Sequence, residues 1–157
     1  MTVEVRFRPA RVDEGDGLRL ATAMADELRA LYSGLELDAT GMPKAGPAEL
    51  GPPGGTFLVG YGPDGTPLCC GGIKALPDGA CEIKRMYVAP AARRQGVARR
   101  LLGRLEDTAR GLGYTVARLD TGPAQHSARR MYEQAGYAPI GNFNANPVAT
   151  YFGEKAL

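Results

Sequence analysis

The chain has 157 residues, a formal net charge of +2 and three cysteines. That length is enough for one domain, residues 1–157, whose core needs neither metal nor disulfide support. A charge so near neutral excludes binding to nucleic acid through an overall positive field, and no run approaches the ~20 apolar residues of a membrane span. Cys69, Cys70 and Cys81 lie in apolar, strand-like surroundings without paired ligand spacing, which predicts buried free thiols in a reducing compartment. Arg6, Arg8 and Arg11 fall where a secretory leader would need an apolar run, so the expected location is cytoplasmic.

In chain order, residues 3–8 alternate apolar and charged side chains and predict a strand closed by Pro9. Asp13 or Asp16 can cap a following helix with apolar positions at Leu18, Ala21, Met24, Ala25, Leu28 and Leu31. Residues 32–55 are broken by glycine and proline throughout, and a loop of that length is expected to be mobile or functional. Strands are predicted over 56–61, 67–75 and 80–88. They are joined by Gly62-Pro63-Asp64-Gly65-Thr66 and Leu76-Pro77-Asp78-Gly79, turns short enough to make an antiparallel meander. Gly71-Gly72 marks a bulge or a close backbone approach. A helix over 97–109 ends at Gly111-Leu112-Gly113, and a strand over 114–121 follows, which implies a right-handed parallel crossover. A helix over 127–134 and strands over 137–140 and 149–155 complete an α/β pattern.

Residues 82–102 organise the rest. Ile83, Met86, Tyr87 and Val88 give a strand, Pro90 ends it, and from Val97 the apolar period lengthens to about 3.6 through Leu101, Leu102, Leu105, Ala109 and Leu112. The turn between them carries Arg93, Arg94, Gln95 and Gly96, with Arg99 and Arg100 in the first helical turns. A helix N-terminus offers unpaired N–H groups and the positive end of the helix dipole, so this junction is suited to an anion, phosphate above all. Gly96 allows close backbone approach and Ala98 keeps the first turn slim.

Arg93-Arg94-Gln95-Gly96-Val97-Ala98 resembles the Arg/Gln-x-x-Gly-x-Gly/Ala motif of the GNAT superfamily of N-acetyltransferases. The strand ending Met86-Tyr87-Val88-Ala89-Pro90 precedes it as in that family. Ala128-x-x-Met131-Tyr132-x-x-x-Gly136-Tyr137 is similar to the family's Ala-x-x-Leu-Tyr-x-x-x-Gly-Phe signature. The resemblance covers residues 82–137 strongly and the remainder in layout. It implies a mixed central sheet of about six to seven strands flanked by about four helices, including a short helical piece within 32–55. It also implies acetyl-coenzyme A as cofactor. Its pyrophosphate would lie on Arg93, Arg94, Gln95, Gly96, Val97, Ala98 and Arg99, and its pantetheine along Met86, Tyr87 and Val88. Gln125 stands where many members have an asparagine and is either a cofactor contact or a helix cap.

Transfer of an acetyl group to an amine needs a base for the ammonium, whose pKa is near ~10, a donor for the oxyanion and an acid for the departing thiolate. By resemblance, Glu82 is the candidate base through a water, and Tyr132 the candidate acid. A backbone N–H near Met86 to Val88 meets the oxyanion. A plain structural role, Glu82 pairing with Lys84 or Arg85 and Tyr132 packing beside Tyr137, competes with each. Strict alternation places Glu82 on one face with Lys84, Met86 and Val88, unless a bulge intervenes. Glu36, Asp38 and Glu49 are candidates to attract a cationic acceptor, and Arg85 could read a carboxylate. The expected acceptor is a small-molecule primary amine, amino-acid-like, with a protein lysine or N-terminus as the alternative and a non-catalytic acyl-coenzyme A sensor as the rival class. The resemblance leaves a homodimer open. Nucleic acid is not an expected partner, because the arginines begin an amphipathic helix with few aromatics for base stacking. No nucleotide-hydrolase loop of the Gly-x-x-x-x-Gly-Lys-Ser/Thr type occurs.

Overall fold

The computed structural model describes residues 3–157. β1 (Arg6–Pro9), β2 (Thr56–Tyr61), β3 (Pro67–Ala75) and β4 (Cys81–Val88) form the antiparallel meander. β5 (Val116–Thr121) lies parallel to β4, and β7 (Tyr151–Ala156) returns antiparallel between β5 and the two-residue β6 (Ala138–Pro139). The result is one seven-stranded mixed sheet in the order β1-β2-β3-β4-β5-β7-β6. Three α-helices, α1 (Gly15–Leu31), α2 (Val97–Gly111) and α3 (His126–Gln134), and one 3-10 turn at Pro90–Ala92 accompany it.

The period-two alternation of the inner strands divides the core into two layers. Leu58, Cys69, Ile73, Cys81 and Ile83 pack against Leu101, Leu102 and Leu105 of α2. Phe57, Val59 and Cys70 face the other way, against Leu20 of α1 and Leu50 of the loop. Leu101 and Leu105 have no exposed surface, as the 3.6 period predicts for one helical stripe. Burial pushes the Cys69 and Cys70 thiols up to about 12 and that of Cys81 up to about 11, so all three are inert, neutral core groups.

Several local expectations are corrected. The first strand spans Arg6–Pro9, and Pro9 is accommodated because β1 is an edge strand. Neither Asp13 nor Asp16 caps α1. The N-cap is Glu14, without a side-chain bond, because Asp13 is taken by Arg11 and Asp16 by Tyr61 Oη (2.8 Å) and Arg19. Leu18 and Leu31 are 46 % exposed and lie outside the core stripe. Residues 32–55 contain no helix; they close in isolated turns such as Leu50 N–H to Gly46 O (2.9 Å), as their glycine and proline density dictates. α2 runs two residues beyond the expected end, and Leu112 is left 42 % exposed at its C-cap.

The largest departure from regular alternation is in β4. Cys70 pairs with Tyr87, but Gly72 pairs with Lys84, so Gly71 stands opposite two residues, Arg85 and Met86. This is a β-bulge, with Arg85 at φ +59° in the left-handed region. A Cβ on Gly71 would lie 2.8 Å from Leu105 Cδ1 and 3.3 Å from Met86 Cγ, so glycine leaves the room into which the bulge turns Met86. The extra residue inverts the facing. Cys81 and Ile83 belong to the α2 layer, and so do Met86 and Val88, whereas Tyr87 packs against the α1 layer. Glu82 and Lys84 therefore do not share a face with Met86 and Val88.

The core assignment is checked by urea unfolding. Leu101→Ala is expected to cost about 2–5 kcal/mol, the range for emptying a filled core site. Leu18→Ala should change stability by less than about 0.5 kcal/mol.

Candidate active site

β4 and β5 pair only at Cys81 with Ala117 and Glu82 with Arg118. Beyond these positions the bulge bends β4 away, and the two strands separate towards their C-terminal ends. The gap leaves one edge of β4 without a partner. Ala89 N–H donates to Leu68 O (2.8 Å) on the β3 side. Strand alternation then turns the N–H and C=O of Val88 into the gap. Val88 O is met there by Arg93 Nε at 2.9 Å.

One side of the gap opens into a cleft of about 740 Å³ between α1, the N-terminus of α2 and the start of α3. Gly96, at φ +76°, is the N-cap of α2 and supplies no side-chain cap; Arg94 is also left-handed, at φ +63°. The first α2 helical bond runs from Arg100 N–H to Gly96 O, so the N–H groups of Val97, Ala98 and Arg99 have no partner within the helix. Arg93, Arg94, Gly96, Val97, Ala98, Arg99, Val88 and Gln125 all line this cleft. Three predicted contacts do not: Met86 lines the second cavity described below, and the other two turn elsewhere. Gln95 turns its amide back to Ala91 O (3.1 Å), and Tyr87 packs towards α1 with the Arg93 guanidinium over its ring. Arg93 also makes a two-bonded ion pair with Glu27 of α1 (2.9 and 2.7 Å), which joins the turn to the opposite wall.

Gln125 is the N-cap residue of α3, but its side chain makes no cap bond there. Its Oε1 accepts from Gly122 N–H (3.0 Å) and Tyr32 Oη (3.2 Å), tying the β5–α3 turn to the end of α1. A Cβ on Gly122 would lie 2.1 Å from Tyr32 Oη, so that approach requires glycine. His126 is exposed on the cleft wall, and Arg129 sits over Tyr151, away from it.

Leu28 and Gln125 are shared with a second, smaller cavity of about 110 Å³ on the α1 face. Its floor is Lys84, Arg85 and Met86 of the bulge with Asp120 and Thr121 of β5, and Tyr132 reaches it from α3. The 32–55 loop contributes Leu35, Leu37 and Met42, not the acids expected there. Glu36 is paired with Arg29 and Glu49 with Gly46 N–H, and Asp38 is almost wholly exposed, 4.0 Å from Arg85.

Glu82 is fully buried and stands behind this cavity. Its Oε2 accepts from Asn144 Nδ2 (2.7 Å) and lies 3.4 Å from Lys84 Nζ, while Oε1 is buried without a hydrogen-bond partner. Burial raises its pKa, with Asp120 adding to the rise and Lys84 and Asn144 opposing it. Sequence reasoning missed Asp120, Asn144 and Asn146. Asp120 Oδ2 accepts from Asn144 Nδ2 (2.7 Å) and Asn146 Nδ2 (3.0 Å), and the left-handed Ala145 between them (φ +59°) lets both amides converge. A charged residue at the C-terminal end of an inner strand was the available signal; the asparagines read as ordinary loop.

Tyr132 is 7 % exposed, 3.9 Å from Met86 Sδ and edge-on to Tyr137. Burial, with the nearby Asp120 charge, holds its phenol well above the usual pKa, so it is protonated at every physiological pH. Tyr137 is fixed instead by Glu106 (2.8 Å), which also takes Lys155 (3.0 Å); of the two phenols that line the cavity, Tyr32 donates to Gln125 and Tyr132 has only the Met86 sulfur beside its hydroxyl. Among the described residues no three His, Cys, Asp or Glu side chains are placed to hold a metal, and no helix is long and apolar enough to cross a membrane.

A split sheet, a bulged central strand and an anion-ready helix N-terminus define an acyl-coenzyme A transferase architecture. The model of the Acetyltransferase (GNAT) family matches residues 20–137, and the chain belongs to that family, whose donor is acetyl-coenzyme A. It is 38 % identical over 97 residues to an IAA acetyltransferase of Azospirillum brasilense and 32 % identical over 101 residues to an uncharacterised N-acetyltransferase of Schizosaccharomyces pombe. These alignments cover 59 % and 64 % of this chain and 63 % and 62 % of the relatives. Among solved structures, a Klebsiella pneumoniae protein assigned as an acyl-CoA N-acyltransferase aligns over 98 % of this chain and 97 % of its own, with 27 % identity and a TM-score of 0.77.

The cleft fits that donor: unpaired N–H groups and arginines stand at one end, and the free edge of Val88 at the other. The state of Glu82 is checked by linkage. A carboxyl with a raised folded pKa costs stability as pH climbs from the ordinary carboxylate value through the raised one. Glu82→Gln removes that loss, so its stability relative to the parent chain should grow with pH from about pH 4 upward, by at most about 1.4 kcal/mol per unit. Urea unfolding across pH measures this slope, while any pH-independent offset reports the lost Lys84 contact. A flat difference would mean that burial does not perturb Glu82.

Proposed function

We propose that this chain is an acetyl-coenzyme A-dependent N-acetyltransferase that moves the acetyl group directly to a small primary amine. The observation that carries this reading is the meeting of the two cavities at Leu28 and Gln125, with Tyr132 and the β4 edge between them. The cofactor supplies an activated thioester. Arg94, Arg99 and the N–H groups of Val97 to Arg99 would hold its phosphates, and the Val88 edge would orient the chain that leads to the thioester. For this Arg93 must release Val88 O, which its pair with Glu27 makes possible without leaving the cleft wall.

On the acceptor side, Asp120 faces the cavity and holds the incoming ammonium. Glu82, buried and with raised proton affinity, is suited to take its proton through a water, since the carboxylate itself does not reach the wall. A backbone N–H at the gap in β4 stabilises the developing negative oxygen. Tyr132, kept protonated, gives its proton to the leaving sulfur. The three thiols are buried in the core, which supports transfer without an acetyl-enzyme. The acceptor cavity is small and roofed by Leu35, Leu37 and Met42, which favours a free small molecule over a protein chain.

The test is thiol release from acetyl-coenzyme A with a panel of amines, amino acids and short peptides, beside calorimetric titration of coenzyme A. Turnover with small amines supports the reading, and cofactor binding without any turnover would replace it with an acyl-coenzyme A sensor. Tyr132→Phe is expected to lower kcat by about 10²-fold with coenzyme A affinity unchanged. An unaltered kcat would remove Tyr132 from the mechanism.

A further inference from the structure

The cation in the acceptor cavity is not accounted for by the reaction. Arg85 has only 11 % of its side chain exposed and lines the cavity floor. Its guanidinium makes no hydrogen bond to any described residue. Its one ion pair among the described residues is with Asp38, at the 4.0 Å limit and with a side chain 99 % exposed. A surface partner of that kind contributes little. Lys84 differs, since its charge is already matched by Glu82. Burial lowers the Arg85 pKa while Asp38, Asp120 and Glu82 oppose the shift, and a guanidinium so far above neutrality stays charged. The bulge forces this placement: at φ +59° Arg85 is the residue that the irregularity turns into the gap.

A buried, planar cation with its donors free is built to take a carboxylate in two parallel hydrogen bonds. Asp120 lies on the same floor and within range to act electrostatically on Arg85. One cavity therefore presents a cation and an anion side by side, under an apolar roof of Leu28, Leu35, Leu37, Met42 and Val148. A simple alkylamine would leave Arg85 unpaired on binding. A ligand with ammonium, carboxylate and aliphatic side chain on neighbouring atoms satisfies all three surfaces.

We propose that the acceptor is an aliphatic α-amino acid, its carboxylate held by Arg85, its amine at Asp120 and its side chain against the leucines and Met42. This rests on the acetyl-transfer reading for its chemistry, but the binding selectivity can be measured without turnover. The probes are L-leucine and L-methionine, their carboxamides, and the amines that lack the carboxyl group. Each is titrated by calorimetry into the full chain saturated with coenzyme A, and each is assayed for thiol release from acetyl-coenzyme A.

The expected result is that the amino acids exceed their carboxamides and amines by about 10- to 100-fold in kcat/KM and in affinity, the span of one charge-assisted bidentate contact. In Arg85→Gln this preference should collapse to near unity through KM, with unchanged coenzyme A affinity as the check that the rest of the fold is intact. Arg85→Lys, which keeps the charge but loses the fork, should restore part of it. Equal use of acid and amide by the parent chain, or a preference that survives Arg85→Gln, overturns the proposal. Selective binding of the amino acids without turnover would leave the carboxylate site standing and sink the transferase reading instead. Absence of amino-acid binding overturns the site itself.

Discussion

The site depends on one irregularity, the extra residue that Arg85 and Met86 place opposite Gly71. Without it β4 would continue in register beside β5, and the two parallel strands would zip together along their length. With it, pairing stops after two residue pairs, the strands part, and both cavities open in the space between them. The same residue reverses the facing of everything downstream. Met86 and Val88 join Ile83 on the α2 side, and the carboxylate of Glu82 is left on the α1 side. A bulge costs ladder bonds and, here, a non-glycine residue in the left-handed region, of order 1–3 kcal/mol for such strain. The two filled core layers on either side offset that cost.

Electrostatics then sort the gap into halves. The donor side carries the orphan N–H groups of α2 and exposed arginines. Its ion pair between Arg93 and Glu27 bridges the cleft. The acceptor side concentrates Glu82, Lys84, Arg85 and Asp120, the first three with nearly buried side chains. There each charge perturbs its neighbours, and the amides of Asn144 and Asn146 hold the carboxylates in place. Tyr132 stands at the boundary with its proton secured by burial. The unpaired N–H groups of α2 and the carboxylate of Asp120 line different cavities, which share Leu28 and Gln125, and Glu82 stands behind the second.

Much of this was legible in the residues. Strand positions from β2 to β4, α2 with its buried stripe, and the parallel crossover follow from periodicity and turn chemistry, and they match within a few residues. The boundaries that moved did so for local reasons. Asp13 and Asp16 had better partners than the helix end, and β1 could include Pro9 because an edge strand wastes no N–H. Leu31 is exposed on the protein but lines the donor cleft, a use that helical periodicity cannot anticipate. Residues 32–55 are too rich in glycine and proline to hold a helix. Their role in roofing the acceptor cavity shows only once the loop is laid over the sheet.

The sequence by itself determined most of the elements, the strand–turn–helix junction at residues 82–102 and the family, because these depend on interactions between residues a few positions apart. Stripes, tight turns, the strand–turn–helix junction and the Tyr132 segment are all of this kind. Tertiary structure alone decided which face each β4 side chain takes, since one inserted residue shifts every later position by half a period. It alone joined Asp120 to Asn144 and Glu82, 24 and 62 positions from that asparagine. It also left Arg85 buried with the exposed Asp38, 4.0 Å away, as its only ion-pair partner among the described residues. That property belongs to no residue by itself, because it arises from which acceptors the rest of the fold brings near.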